Sequence, residues 1–534
     1  MAQATQIRGD GPVRPRIFAV GSGIALLLIA ACLLRLWDLG WQSLGNDELF
    51  SVFYSQRGLD YILGEGRWIE TNPQLYYLLL SLWIDLFGNS EFAVRLLSVA
   101  FSFATLPLVY RIGRILFDRD TGIFAAALFA LSGIQVNYAQ EARPYALFIL
   151  TAAVALLGCA RIFRACAAPE TGIRPLILAA LPFVLGSILT LYAHDTGFIF
   201  VVSVDLMFLI SAMVVARWKA LLTIVILSNV LIAIAAVPQA EVLLWQIHSP
   251  NLSWIPHPTL RLTASILQGL MTGYPLAHAI KDGTMSLFGV VLICAAIIAL
   301  VALMIPLLFQ FLMRYRRDRP VMAMCLVLPM IGLILLIAIS YFRPIFMEST
   351  AIWLTLPWYW VIGAGLARIE PARRRTLLAA GLIALEAGLA FTQFNEEQSE
   401  PWRNLIAEAD KEAKPGDVFV LTEESHTGTW ALPFAYYWKG DKLPELRRWD
   451  ACPGGCPPTA ETVLTAAFAP APQITLGEID DVLAQGRRVW IISRIPPGSE
   501  DTAEIEPLYQ NLDHAAHATT AYHWQNLNFG YWRR

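Results

Sequence analysis

Residues 72–87 read Asn72-Pro73-Gln74-Leu75-Tyr76-Tyr77-Leu78-Leu79-Leu80-Ser81-Leu82-Trp83-Ile84-Asp85-Leu86-Phe87, and the reading of this run decides the fold. It is apolar enough to be mistaken for a membrane-crossing helix. The helix from Pro73 would reach only about 22 Å, against a hydrocarbon core of about 30 Å. Gln74, Ser81 and Asp85 also share one face. With Asn72 as N-cap and Pro73 at the first helical position, the run is predicted to lie in the outer interface as a short helix.

The sequence around it is that of a polytopic membrane protein. Its 534 residues are 56% hydrophobic and 15% charged, and the mean hydropathy is +0.53. A soluble chain of this length needs a more polar surface. The net charge of −3 says nothing about nucleic acid, but no basic patch carries interleaved aromatics, so no nucleic-acid partner is expected. Membrane-length apolar runs fall at 17–37, 95–113, 121–138, 145–163, 175–192, 196–216, 219–238, 284–305, 320–341, 351–368 and 375–392. Those eleven spans place Arg111, Arg114, Arg119, Arg161, Arg164, Arg174, Arg217 and Lys219 in alternate loops. Arg314, Arg316, Arg317, Arg319, Arg368, Arg373, Arg374 and Arg375 fall on the same side. By the positive-inside rule that side is cytoplasmic, as is the N-terminus. A span at 73–87 would invert every later loop.

From Asn395 the pattern becomes mixed and polar, with Pro-Gly turns. The expectation is a mainly α membrane domain over 1–394, followed by a C-terminal α/β domain over 395–534 on the outer side. In the first outer loop, 38–94, a second short helix is capped by Asn46 and runs through Arg57. A longer outer segment covers 239–283. Cys452 and Cys456, in Cys-Pro-Gly-Gly-Cys, would form a disulfide in an oxidising compartment; a two-cysteine metal site lacks nearby partners.

Polar and ionisable residues recur at one depth on the outer side, where they are costly unless they serve a site. Asp47 and Glu48 lie in the first outer loop, and Arg95 opens the second span. The second outer turn carries Tyr138, Gln140, Glu141, Arg143 and Tyr145, and the third His194 and Asp195. Trp254 and His257 lie in the long outer segment, Arg343 and Glu348 in the fifth turn. Bland readings stand beside these. Glu141 and Arg143 could be a local ion pair, and His194 either a hydrogen-bonded interfacial ring or part of a metal or proton-relay set. Arg343 could anchor a helix end. Tyr76 and Tyr77 read as packing, and Asp205 inside a span is unexplained.

Four motifs in order carry a resemblance: Asn46-Asp47-Glu48; Pro73-Gln74-Leu75-Tyr76-Tyr77; Ser90-Glu91-Phe92-Ala93-Val94-Arg95-Leu96; and Tyr138-Ala139-Gln140-Glu141-Ala142-Arg143-Pro144-Tyr145. With this topology the membrane part resembles the GT-C glycosyltransferases. Within them it is similar to the protein O-mannosyltransferase and lipid A aminoarabinose transferase superfamily, of glycosyltransferase family 39/83 type. Pro401-Trp402-Arg403 and Pro415-Gly416-Asp417-Val418 are similar to the outer domains of bacterial members. The resemblance implies transfer of a sugar, with inversion, from a polyprenyl-phosphate-sugar donor. The acceptor would be a cell-envelope lipid or polysaccharide, such as lipopolysaccharide, at the periplasmic face of a bacterial inner membrane. Asp47 would be the general base with Glu48 beside it. Arg95, Arg143 and Arg343 would hold the donor phosphate. Asn72, Tyr138, Gln140, Glu141, Tyr145, His194, Asp195, Trp254, His257 and Glu348 would contact substrate. The chemistry requires no cofactor, although a divalent metal is compatible with it. Transfer to protein hydroxyls, or transport of a lipid-linked sugar, are the competing readings. Asn72-Pro73-Gln74 departs from the His or Lys followed by Pro-Pro of many relatives, which bears on substrate identity more than on reaction class.

Overall fold

The computed structural model describes residues 26–168, 172–247, 255–272, 287–394, 400–422, 431–440, 444–449, 472–493, 508, 510, 512, 517–524 and 527–533. Trp254 and the Cys452–Cys456 pair lie outside the described residues. The chain begins with helix α1 (Leu26–Leu36) and continues through α2 (Asn46–Gln56), α3 (Leu59–Leu63), α4 (Leu75–Phe87) and α5 (Glu91–Leu116). Next come α6 (Arg119–Leu131), α7 (Gly133–Ala139), α8 (Tyr145–Ala167), α9 (Ile173–Ala193), α10 (Gly197–Ala212) and α11 (Trp218–Gln246). The helices Leu260–Thr272, Leu287–Tyr315, Arg319–Ser340, Glu348–Ala367 and Ala372–Phe394 complete the membrane part.

Each of the eleven predicted runs overlaps a helix in the described residues. Among the described residues, seven helices are long and apolar enough to cross a membrane, or eight if α6 and α7 form one span. The predicted span 121–138 is broken: α6 and α7 meet at 57°. Ser132 between them has extended backbone, φ −66° and ψ 126°. The break leaves carbonyls without helical partners, and buried Arg35 donates to two of them, Ala130 O at 2.5 Å and Phe129 O at 3.4 Å. Its Nε also donates to Ser102 Oγ at 2.9 Å. Asp205 accepts from Asn229 Nδ2 at 2.8 Å, an α10–α11 hydrogen bond of the kind that joins helices within lipid.

Helix packing relies on small residues. A Cβ on Gly158 of α8 would collide with the Phe183 backbone of α9, and one on Gly186 with the Ala155 backbone. These two glycines let α8 and α9 touch backbone to backbone.

Two sequence expectations for the short helices before α5 need correction. The second starts at Leu75 with Gln74 as its cap position and no side-chain capping bond. Asn72 instead donates its backbone N–H and its amide to Glu70 Oε1, at 3.0 and 3.1 Å. The first starts at Asn46, so Gly45 is its cap residue, and the Gly45 N–H is bonded by Glu48 Oε2 at 3.0 Å.

The C-terminal region forms one sheet of β1 (Val418–Thr422), β2 (Glu445–Trp449), β3 (Val489–Ser493), β4 (His517–Trp524) and β5 (Leu527–Arg533), in the order β2-β1-β3-β5-β4. β1 runs parallel to β2 and β3, while β5 is antiparallel to β3 and β4. β1 and β3 are buried throughout, as expected for central strands covered on both faces. Phe419, Leu421, Trp490 and Ile492 pack on one face with Trp402 and Phe434, continuous with the core of the membrane part. Val418, Val420, Val489 and Ile491 pack on the other with Ile479 and Leu483. Asp417 is tied to this sheet, accepting from Arg488 Nε at 3.0 Å and Trp490 Nε1 at 2.8 Å.

Candidate active site

Adjacent residues in a helix point about 100° apart, and in the first turn of α2 this separates two carboxylates. Glu48 turns inward and is 5% exposed. It accepts from Arg95 Nε at 2.8 Å and Nη2 at 2.7 Å, from Ala142 N–H at 2.9 Å and from Gly45 N–H. Burial opposes its ionisation, but the Arg95 guanidinium and these N–H groups outweigh it and hold the carboxyl below its ordinary range. Asp47 turns outward, with its side chain 68% exposed.

Through Ala142, Glu48 fixes the turn between α7 and α8 against α2, and this brings Arg143 to Asp47. Arg143 Nη2 lies 3.9 Å from Asp47 Oδ2. Its Nη1 donates to Ser51 Oγ at 3.2 Å, Asp47 O at 3.3 Å and Tyr77 Oη at 3.4 Å. Arg143 Nε is buried with no hydrogen-bond partner. A buried cation with a spare donor beside an open carboxylate is equipped to meet an anion.

Tyr77 continues the network by donating to Glu70 Oε1 at 2.8 Å. Glu70 is buried, and Gln246 Nε2 donates to its carbonyl at 2.8 Å. Beyond it, burial and then the Glu70 charge push the Asp195 carboxyl well above its ordinary range, and Asp195 Oδ1 is buried without a partner. His194 is buried, and burial with the nearby Arg143 charge pushes its imidazole down to about 3, so it is neutral. Its Nδ1 accepts the Thr196 N–H at 3.2 Å, which places the ring proton on Nε2. The ring stacks on Phe148 at 4.9 Å and meets Tyr145 at 5.9 Å, and Tyr145 meets Tyr138 at 4.9 Å. Tyr138 in turn interacts with Glu348 and Ser349. Glu141 is pushed up to about 8 by burial, then by Glu48, with Asp47 adding to it.

The structure therefore gathers Asp47, Arg143, Glu141, Tyr138, Tyr145, His194, Asp195 and Glu348, and Asn72 joins through Glu70. Other expected residues have different work. All five Arg95 donor bonds go to protein: two to Glu48 and three to the carbonyls of Leu39, Gln42 and Ser43. That leaves Arg95 nothing for a phosphate. Gln140 Nε2 caps the end of α1 at Leu34 O, Arg35 O and Trp37 O. Arg343 caps the end of α11 at Gln246 O and Ile247 O, 2.9 and 2.6 Å. His257 is exposed just before the helix Leu260–Thr272. Among the described residues, no group of three or more His, Cys, Asp or Glu could hold a metal ion.

Glu70 and Tyr77 were not singled out as site residues in the sequence. The available signal was an acid two residues before Asn72-Pro73 and the apolar run they open.

This arrangement of broken and long helices, short helices before α5 and a C-terminal sheet is the GT-C fold of membrane glycosyltransferases. ArnT from Cupriavidus metallidurans in the apo state superposes with a TM-score of 0.58 at 12% identity, covering 96% of this chain and 98% of that one. ArnT bound to undecaprenyl phosphate gives 0.57 over the same shares and at the same identity. The archaeal oligosaccharyltransferase AglB from Archaeoglobus fulgidus, in complex with an inhibitory peptide and a dolichol-phosphate, gives 0.55 at 12% identity over 96% and 74%. At such identities the likeness is one of fold. Within the chain, residues 71–168 match the family described as dolichyl-phosphate-mannose-protein mannosyltransferase. No curated protein matches by sequence.

Proposed function

We propose that the protein is a glycosyltransferase that moves a sugar from a polyprenyl-phosphate donor to a lipid or polysaccharide acceptor of the cell envelope. The observation that carries this is the open Asp47 carboxylate beside buried Arg143 with its unpartnered Nε. Asp47 takes the proton of the acceptor hydroxyl as its oxygen attacks the anomeric carbon. The new C–O bond forms as the bond to phosphate oxygen breaks, and the polyprenyl phosphate leaves with that electron pair, inverting the carbon. Arg143, itself buried, balances the charge developing on the phosphate. A phosphate leaves without protonation, so this route needs one base and one cation. Glu70, Asn72 and Asp195 offer hydrogen-bonding groups to sugar hydroxyls, and His194 offers a neutral Nε2–H. The protein would sit in a bacterial inner membrane with Asp47 and the 395–534 domain on the periplasmic side.

The test is transfer by purified protein from labelled polyprenyl-phosphate sugars to envelope lipids and polysaccharides, with products identified by mass spectrometry. Donor movement across vesicles with no glycosidic product would replace this reading with transport.

A further inference from the structure

The end of the membrane bundle remote from Asp47 carries a groove of about 620 Å³ beside α5 and α8. Pro107, Leu108, Ile115 and Leu157 form its apolar walls, with Tyr110, Arg111 and Arg114 completing the lining. Residues 107–108, 111 and 114–115 share one face of α5 at helical spacing. That face is apolar toward the bundle centre and cationic toward its end. Leu108 and Arg114 are separated by about 9 Å along the helix axis, comparable to the depth between headgroups and the start of the acyl region.

Arg161 of α8 lies close enough to Arg111 to feel its charge. Among the described residues, Arg111, Arg114 and Arg161 have no protein acceptor or ion-pair partner. Their neighbours are committed elsewhere. Arg164 donates to Ile115 O at 2.9 Å and to Leu116 O. Asp118 pairs with Arg368 at 2.5 Å, and Asp120 with Arg375 at 3.6 Å. Arg111 and Arg114 thus line an apolar groove with Arg161 near Arg111, and among the described residues no acid is left to balance them.

We infer that this groove holds an anionic phospholipid, with its phosphate on Arg111, Arg114 and Arg161 and an acyl chain along Pro107, Leu108 and Leu157. Inorganic phosphate would satisfy the arginines but leave the apolar wall uncovered. Basic pockets between membrane helices select anionic headgroups for the same reason. Sidedness alone would not require a groove. Arg314, Arg316 and Arg317 are exposed at the same end of the bundle, where Tyr315 packs against Phe117 at 4.9 Å.

The experiment uses the full chain in detergent micelles, titrated with phosphatidylglycerol or phosphatidylcholine and read by native mass spectrometry. Phosphatidylglycerol should bind in preference to phosphatidylcholine. The R111Q/R114Q/R161Q variant should bind phosphatidylglycerol roughly tenfold more weakly, while R314Q/R316Q/R317Q, which removes equal charge, should bind as the parent does. L108W keeps every charge and fills the groove, so it too should weaken binding. Melting curves in lipid-free detergent confirm that each variant is folded. Equal weakening by the two charge-removal variants would reduce the effect to general surface attraction and overturn the site. So would unchanged binding in R111Q/R114Q/R161Q, or a polyprenyl phosphate that displaces phosphatidylglycerol at equal concentration.

Discussion

Arg95 and Arg403 grip the same stretch of backbone, residues 39–43. Arg95, rising from α5, donates to the carbonyls of Leu39, Gln42 and Ser43 at 2.8–3.0 Å. Arg403, from the C-terminal region, donates to the carbonyls of Trp41 at 3.0 Å and Gly40 at 3.1 Å. Its own N–H donates to Ser43 Oγ at 3.1 Å, and its Nε to Glu91 Oε1 at 3.0 Å. Tyr437 Oη accepts the Leu44 N–H at 2.7 Å. Two residues later the chain enters α2, so the loop that delivers Asp47 is set jointly by both parts of the protein.

Arg403→Ala should therefore loosen residues 39–44 without touching the site directly. Charge-assisted hydrogen bonds of this kind contribute about 1.5–3 kcal/mol each at most, and partial exposure of Arg403 reduces that. Hydrogen exchange in the loop should rise and transfer should fall by roughly tenfold, the loss of about 1.4 kcal/mol of positioning. Arg403→Lys should not restore either, because an ammonium cannot reproduce the planar fork. Unaltered exchange in the loop would show that the C-terminal region does not position it.

Asp47 and Glu48 should part company under mutation. Asp47→Asn removes a base and no buried contact, so transfer should fall by about 10²–10⁴-fold with little change in melting temperature. Glu48→Gln breaks a buried ion pair, and leaving Arg95 uncompensated costs about 3–5 kcal/mol. It should melt early or fail to accumulate. Full transfer by the Asp47→Asn protein would remove the proposed base.

That division shows where the sequence is legible. The helices follow from apolar run length, which is a local property. Which arginine is free is not local. Arg95, Arg343 and Gln140 resemble Arg143 in the sequence, but their bonds go to carbonyls, and for Arg95 also to Glu48, that arrive only when distant segments pack. The break at Ser132 was hidden because the apolar run continues across it. Glu70 sits in a short irregular turn with no periodicity to mark it, and its partner Tyr77 reads as one more interfacial aromatic.

Glu141 gives a pH dependence with a definite sign. Its folded-state value, about 8, lies above the ordinary 4.5. The folded protein therefore holds a proton that the unfolded chain releases between those values. The stabilisation is complete below about 4.5 and is lost as pH rises through about 8. Thermal melts in detergent should show stability declining across that window, and Glu141→Gln should flatten the decline. Identical slopes in the two proteins would exclude Glu141 as the group responsible.

Arg143 offers the sharpest test of the phosphate role. Arg143→Lys keeps a cation but removes the buried Nε and the fork. If that donor meets the donor phosphate, its loss costs about 1.5–3 kcal/mol, or roughly 10- to 150-fold in affinity. Free polyprenyl phosphate should compete with the sugar donor, so its inhibition constant is the cleanest readout. It should rise with the donor KM in Arg143→Lys, while the acceptor KM stays near the parent value. Arg143→Gln, without the charge, should raise both donor constants further. A merely structural Arg143, bonded to Ser51 and Tyr77 to hold the turn, would instead lower kcat and melting temperature while leaving the inhibition constant where it was.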